Sequence, residues 1–187
     1  MRLFVAAYPP PAACDDLAEC LAGLNVTMAA ARGVNTRLAR RDTWHLTLAF
    51  LGEVDDEKAP RAVGALERVA ADPPRLRLTG GGRFGRSRFT VLWVGVGGER
   101  EPLIGLARQV RRELKRNRLP FDDRQFKPHL TVARPGDRLD RAEIEADRQA
   151  LSQYAGPEWP VRTIELIRSH LGPAPTYERL ASRPLTG

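Results

Sequence analysis

Histidine is the side chain whose ordinary pKa, about 6.5, lets it give or take a proton at neutral pH. This sequence of 187 residues holds three histidines. Two of them stand in nearly the same surroundings, Trp44-His45-Leu46-Thr47-Leu48-Ala49 and Pro128-His129-Leu130-Thr131-Val132-Ala133, separated by almost half the chain. In a β-strand, residues i and i+2 point to one face. His45 and Thr47 therefore project together, with Leu46, Leu48 and Phe50 on the opposite face. His129 and Thr131 do the same against Leu130 and Val132. Ala49 and Ala133 would continue the polar face with small side chains that leave room for a ligand.

Two imidazoles divide acid and base roles: a neutral one takes a proton from an attacking hydroxyl or water, and a protonated one gives a proton to a leaving oxygen. Each threonine hydroxyl is a donor for a nonbridging phosphate oxygen. The chemistry this supports is acid–base cleavage of a phosphodiester. A lone His-x-Thr is commonplace in strands; two copies in matching apolar frames are not. His170, in Ser169-His170-Leu171, has no threonine two residues on and reads as structural. No His-x-x-x-His pair or carboxylate-rich cluster accompanies the two motifs, so no metal or other cofactor is expected. Serine-hydrolase chemistry lacks its Gly-x-Ser-x-Gly elbow.

The elements that must carry these residues alternate between strand and helix patterns. Met1 to Tyr8 reads as a first strand, too brief for a signal-peptide core and stopped by Pro9-Pro10-Pro11. A helix is expected over Ala12 to Ala31, ending at Gly33. Thr43 to Val54 reads as a strand, and Asp56 to Ala71 as a helix stopped by Asp72-Pro73-Pro74. Leu76 and Leu78 start a short strand running into Gly80-Gly81-Gly82-Arg83-Phe84-Gly85. That stretch lacks a phosphate-loop ending and a strand-then-helix context, so it reads as a flexible loop or bulge whose Arg83, Arg86 and Arg88 could approach a substrate. Phe89 to Val96 is a strand. Leu103, Leu106, Val110 and Leu114 place a helix over Pro102 to Arg118, with Arg108, Arg111, Arg112 and Lys115 on its solvated face. His129 to Ala133 is a strand, Asp140 to Tyr154 a helix, and Val161 to Leu171 and Tyr177 to Leu180 are closing strands. The echo between the motifs suggests two similar lobes within one domain spanning 1–187.

Hydrophobic residues make up 42% and charged residues 28% of the chain, as in an ordinary soluble globular protein. No apolar run approaches the roughly 18 to 20 residues that span a bilayer, so a cytoplasmic protein without membrane contact is expected. Cys14 and Cys20 are too few, and too placed along one helix, to suggest a bridge or a zinc site. The net charge of +7 would draw a polyanion such as nucleic acid, although arginine supplies all the basic residues except Lys58, Lys115 and Lys127. Genome composition alone produces such a skew.

The paired His-x-Thr-x motifs resemble the two-histidine (2H) phosphoesterase superfamily, and within it the bacterial RNA 2′,3′-cyclic phosphodiesterases once named 2′-5′ RNA ligases. The likeness extends over Met1 to Ala6, His45 to Val54, Val91 to Val96, Phe126 to Arg134 and Tyr177 to Leu180. It implies an α+β, bilobal and pseudo-symmetric fold, with two antiparallel sheets facing a central cleft and helices outside. It also implies hydrolysis of a 2′,3′-cyclic phosphate, on RNA ends or cyclic nucleotides, to a 2′-phosphate without metal or other cofactor. By the family pattern His129 is the base and His45 the acid, a division that sequence leaves open, and Thr47 and Thr131 hold the phosphate.

Arg134 matches a family arginine that follows the second motif. Strict alternation points it away from His129, so the strand must end or bulge there for it to reach phosphate. Phe4 and Tyr177 are candidates to line the cleft and stack on a base, with packing in the core as the alternative for both. Trp44 stands where the family often has asparagine. Two other readings stay open: activity on 2′-5′ linkages, including ligation, and a non-catalytic RNA-binding module. No obligate protein partner is evident.

Overall fold

A computed structural model describes residues 1–172 and 175–186. It contains two four-stranded antiparallel sheets. The first has the order β2 (Leu46–Glu53), β1 (Arg2–Ala7), β7 (Thr163–His170), β8 (Thr176–Pro184). The second has the order β5 (His129–Ala133), β4 (Val91–Gly98), β3 (Arg75–Phe84), β6 (Ala155–Pro160). The two motif strands, β2 and β5, are thus the corresponding edge strands of the two sheets. Helices α3 (Ala59–Glu67) and α4 (Arg100–Arg116) pack on the first sheet, and α1 (Pro11–Ala22) and α5 (Arg141–Ser152) on the second. The main core lies between these helices and the sheets, with Leu3, Leu46, Leu48, Leu76, Leu92, Leu106, Leu130 and Leu151 fully buried.

Neither motif strand is left open along its outer edge. The main chain at Ala39 donates to Val132 O at 2.8 Å, and Arg134 N donates to Arg37 O at 3.2 Å. On the other sheet Asp122 N donates to Phe50 O at 2.8 Å. The segment leading into each motif therefore ties down the other motif's strand, which holds β2 and β5 beside one another.

Three local expectations change. The helix expected over Ala12 to Ala31 is two helices, α1 and α2 (Asn25–Ala31). The break is capped from far away: the buried Asp147 of α5 accepts from Asn25 N at 2.7 Å and Val26 N at 2.9 Å, satisfying helix-start amides. The strand expected from Thr43 starts at Leu46, because Arg41–Thr43 is a 3-10 turn closed by Thr43 N to Arg40 O at 2.9 Å. Strand β6 has no counterpart among the sequence expectations. Its Pro157 and Pro160 argue against a strand, yet they are tolerated because β6 is a sheet edge.

The glycine-rich stretch is the fourth change: it lies within β3 rather than in a flexible loop. A Cβ at Gly82 would lie 2.6 Å from Trp93 Cζ2, and one at Gly81 would lie 2.6 Å from Leu151 Cβ. The glycines let an indole lie against one face of the strand and α5 against the other. The bulge half of the expectation holds, since the β3–β4 register shifts between Leu78 and Gly81.

Candidate active site

His45 immediately precedes β2, and His129 opens β5. Each ring is fixed in the same way. His45 Nδ1 lies 2.6 Å from Thr43 O, and His129 Nδ1 lies 2.6 Å from Lys127 O. A carbonyl only accepts, so both Nδ1 atoms carry a hydrogen, which leaves the lone pair of each neutral ring on Nε2. His45 Nε2 sits 3.1 Å from Thr47 Oγ1, as the shared face requires. His129 Nε2 has no hydrogen-bond partner among the described residues.

The rings are enclosed by aromatic side chains. Phe4 stacks on His45 with centroids 4.8 Å apart, Tyr177 meets it edge-on at 5.4 Å, and Tyr8 lies tilted at 5.9 Å. Phe84 is edge-on to His129 at 4.9 Å, with Trp93 at 6.3 Å. This apolar packing strips water from each imidazole and lowers both pKa values below the ordinary histidine value. The positive charges of His129 and Arg134 push in the same direction on His45 and His129 respectively, while the bonds to Thr43 O and Lys127 O oppose it. Burial likewise raises the Tyr8 and Tyr177 hydroxyls, with Glu165 adding to the effect on Tyr8.

Past the threonine, strict alternation fails in both strands, in the same place. Pairing along β1 jumps from Ala49 to Thr47 and along β4 from Ala133 to Thr131, so Leu48 and Val132 are bulged. A bulge moves every following side chain to the other face. Ala49 and Ala133, expected on the polar face, are instead buried in the core. Phe50, expected on the core face, joins the inner cluster of Phe4, Ala6, Ile167, Tyr8 and Tyr177. The bulge at Val132 returns Arg134 to the face that carries His129 and Thr131, where its charge adds to the lowering of the His129 pKa and partly offsets the rise that burial causes at Tyr177. The irregularity that Arg134 needs is present.

Phe4 is only 4% exposed and spends its face on His45, which leaves it little surface for a base. Tyr177 is half-buried, standing edge-on to both Phe4 and His45. Tyr8, Phe84 and Trp93 escaped sequence reasoning. Tyr8 had a signal, because it continues the i, i+2 row Phe4–Ala6. Trp93 is paired with Thr131 by register, which no local pattern reveals. His170 lies on β7, where it contacts Glu178 at 2.9 Å. Among the described residues no group of three or more His, Cys, Asp or Glu is placed to hold a metal ion, and no helix is long and apolar enough to cross a membrane.

Residues 9–173 match the family model described as the 2′-5′ RNA ligase superfamily. An Archaeoglobus fulgidus protein named RNA 2′,3′-cyclic phosphodiesterase is 35% identical over 96% of this chain and 98% of its own length. A Geobacillus stearothermophilus protein of the same name is 35% identical, the match spanning 78% of this chain but only 46% of that relative. Among solved structures, a Thermus thermophilus protein superposes with a TM-score of 0.76 at 29% identity, covering 99% of this chain and 98% of that one. Escherichia coli LigT in complex with 3′-AMP gives 0.75 at 25% identity, covering 100% and 98%. With a family model matched over residues 9–173, a relative 35% identical along nearly its whole length, and two carbonyl-locked histidines on two antiparallel sheets, this chain belongs to the 2′-5′ RNA ligase superfamily of two-histidine phosphoesterases.

Proposed function

We propose that the protein is an RNA 2′,3′-cyclic phosphodiesterase that needs no metal, and that its two histidines share the proton transfers. The observation that carries this reading is the pair of imidazoles whose Nδ1 atoms are held by backbone carbonyls, one beside each sheet, so that each keeps its lone pair on Nε2. The relatives' name supplies the substrate class.

His129 is the base. Its Nε2 is unengaged whereas that of His45 lies against Thr47, and among the described residues its ring has two aromatic neighbours against three for His45, so it is the one open to a water molecule. Water attacks phosphorus as its proton passes to His129 Nε2. The bond from phosphorus to O3′ breaks, and His45 Nε2 delivers a proton to that oxygen. The products are a 2′-phosphate and a 3′-hydroxyl. Burial disfavours the charged form of His45 and an anionic phosphate beside it favours that form, so substrate binding draws a proton from solvent onto its Nε2. Its Nε2 then turns to the leaving oxygen, which releases the Thr47 hydroxyl to donate to a nonbridging oxygen. Thr131 and Arg134 serve the phosphate from the other sheet, and Tyr177 offers the base an aromatic edge.

The test is turnover of a 2′,3′-cyclic nucleotide, and of RNA ending in a cyclic phosphate, in excess EDTA. Wild type remains active, and His45→Ala and His129→Ala each lose about 10² to 10⁴ in rate. Phosphorus NMR of the product places the phosphate on O2′. Activity that disappears on chelation would overturn the metal-free chemistry. RNA binding without turnover would favour a binding module, and joining to a 5′-hydroxyl RNA would favour a ligase.

A further inference from the structure

Beyond the aromatic packing around His129 lies a short hairpin that the mechanism does not use. Residues 85–90 connect β3 to β4, directly beyond Phe84, whose ring meets His129. They are tightly wound: Ser87–Phe89 is a 3-10 turn, Phe89 N donates to Arg86 O at 3.1 Å, and Thr90 Oγ1 donates to Ser87 O at 2.8 Å. Gly85 has φ +67°, and a Cβ there would lie 2.3 Å from Phe89 O. The hairpin also rests on the loop after β5, since a Cβ at Gly136 would lie 3.4 Å from Arg88 O. Its place is therefore set relative to Arg134, two residues before Gly136.

This well-anchored turn presents groups that folding alone does not require. Phe89 is 66% exposed, with the Arg88 guanidinium 4.7 Å above its ring. Arg86 is exposed as well, and neither Arg86, Arg88 nor Arg134 forms an ion pair among the described residues. An exposed aromatic face interleaved with uncompensated arginines suits single-stranded nucleic acid, where each nucleotide brings one stacking face and one negative charge. A protein or lipid partner would call for a wider apolar surface than one ring. The loop that follows His129 and Arg134 reaches this hairpin at Gly136, beside Arg88 O.

We infer that the β3–β4 hairpin is a subsite for the RNA strand on the 5′ side of the cyclic end: Phe89 stacks a base upstream of the terminal nucleotide, and Arg86 and Arg88 hold the intervening phosphates. This rests on the proposed cyclic phosphodiesterase reading and adds to it that the preferred substrate is an RNA end rather than a free cyclic nucleotide. A cyclic mononucleotide has no upstream strand, so the hairpin does nothing for it.

The experiment compares a 2′,3′-cyclic mononucleotide with an RNA tetranucleotide ending in a cyclic phosphate. Phe89→Ala and the double variant Arg86→Ala/Arg88→Ala are measured beside wild type, with Phe89→Trp and Arg86→Lys/Arg88→Lys as conservative partners. Both alanine variants are expected to raise KM for the tetranucleotide about ten-fold, as loss of one stacked base or two phosphate contacts implies. Mononucleotide turnover should stay within about two-fold, and the conservative partners should recover most of the loss. The double variant should also flatten the slope of log affinity against log salt by about 1.4, at roughly 0.7 per phosphate contact on a single strand. Equal losses on both substrates would mean that the hairpin merely supports Phe84 and His129, and no loss on the tetranucleotide would place the strand elsewhere; either result overturns the subsite. If wild type turns over neither substrate, the proposed reaction fails by itself. Fluorescence anisotropy of the tetranucleotide then decides the subsite, weaker binding by Phe89→Ala supporting it and equal binding overturning it.

Discussion

His45 and His129 both sit in aromatic surroundings that disfavour the charged ring, and this shapes the pH response of the site. The proposed mechanism needs one imidazole neutral and the other protonated in the productive form of the enzyme. With both values lowered, kcat/KM should follow a bell whose apex lies below about pH 6.5. Bound substrate contributes negative charge, so the kcat bell should lie at higher pH than the kcat/KM bell; coincident bells would show that phosphate does not approach the rings. Opening the enclosure has the opposite sign to burial. Phe84→Ala should raise the His129 pKa toward its ordinary value, as read by NMR titration of the ring, while leaving the Lys127 O contact in place. Thr47→Val retains shape without the hydroxyl. It should lower kcat by about 10²-fold, in line with loss of one preorganised donor, with little change in melting temperature.

At the scale of elements, bulges and glycines decide what the strands present. Leu48 and Val132 each insert one extra residue, so the polar row of each strand stops after the threonine and resumes as Phe50 or Arg134. The glycines of β3 are equally specific. Gly82→Ala places a methyl against the Trp93 indole, and the ring must shift or the strand must bow. A destabilisation of about 1 to 3 kcal/mol is expected for such overpacking, measurable by urea unfolding. Activity should fall further than stability accounts for, because Trp93 pairs with Thr131 and stands beside His129. Full activity in a stable Gly82→Ala protein would show that the indole has no part in shaping the cleft. The α1–α2 break depends on a carboxylate supplied by α5, so Asp147→Ala should cost roughly 1 to 3 kcal/mol by leaving the Asn25 and Val26 amides unpaired.

For the molecule as a whole, the same buried imidazoles link stability to pH. Their folded values lie below the unfolded value of about 6.5, so the unfolded chain binds protons first as the pH falls. Their contribution is complete above about pH 6.5 and is lost progressively as the pH falls below it; melting temperature followed from pH 7.5 to 5 should decline, and less steeply in a His45→Phe variant. By themselves, the residues and their spacing determined the paired motifs, the mixed α and β character and the apolar frames Leu46 and Leu130, because alternation within a strand and helical periodicity are local rules; the family came from resemblance to known sequences. That resemblance singled out Arg134, and strand alternation set the condition for its use. Tertiary structure alone decided whether that condition is met, because a bulge is settled by pairing with β1 or β4 and not by the residues that bulge. It alone turned the glycine run into a strand, through Trp93 and Leu151 arriving from other elements, and enclosed the histidines in Phe4, Tyr8, Phe84 and Trp93. The chemistry is carried by residue types, which a sequence states outright; their pKa values and their mutual approach depend on neighbours that only folding brings within reach.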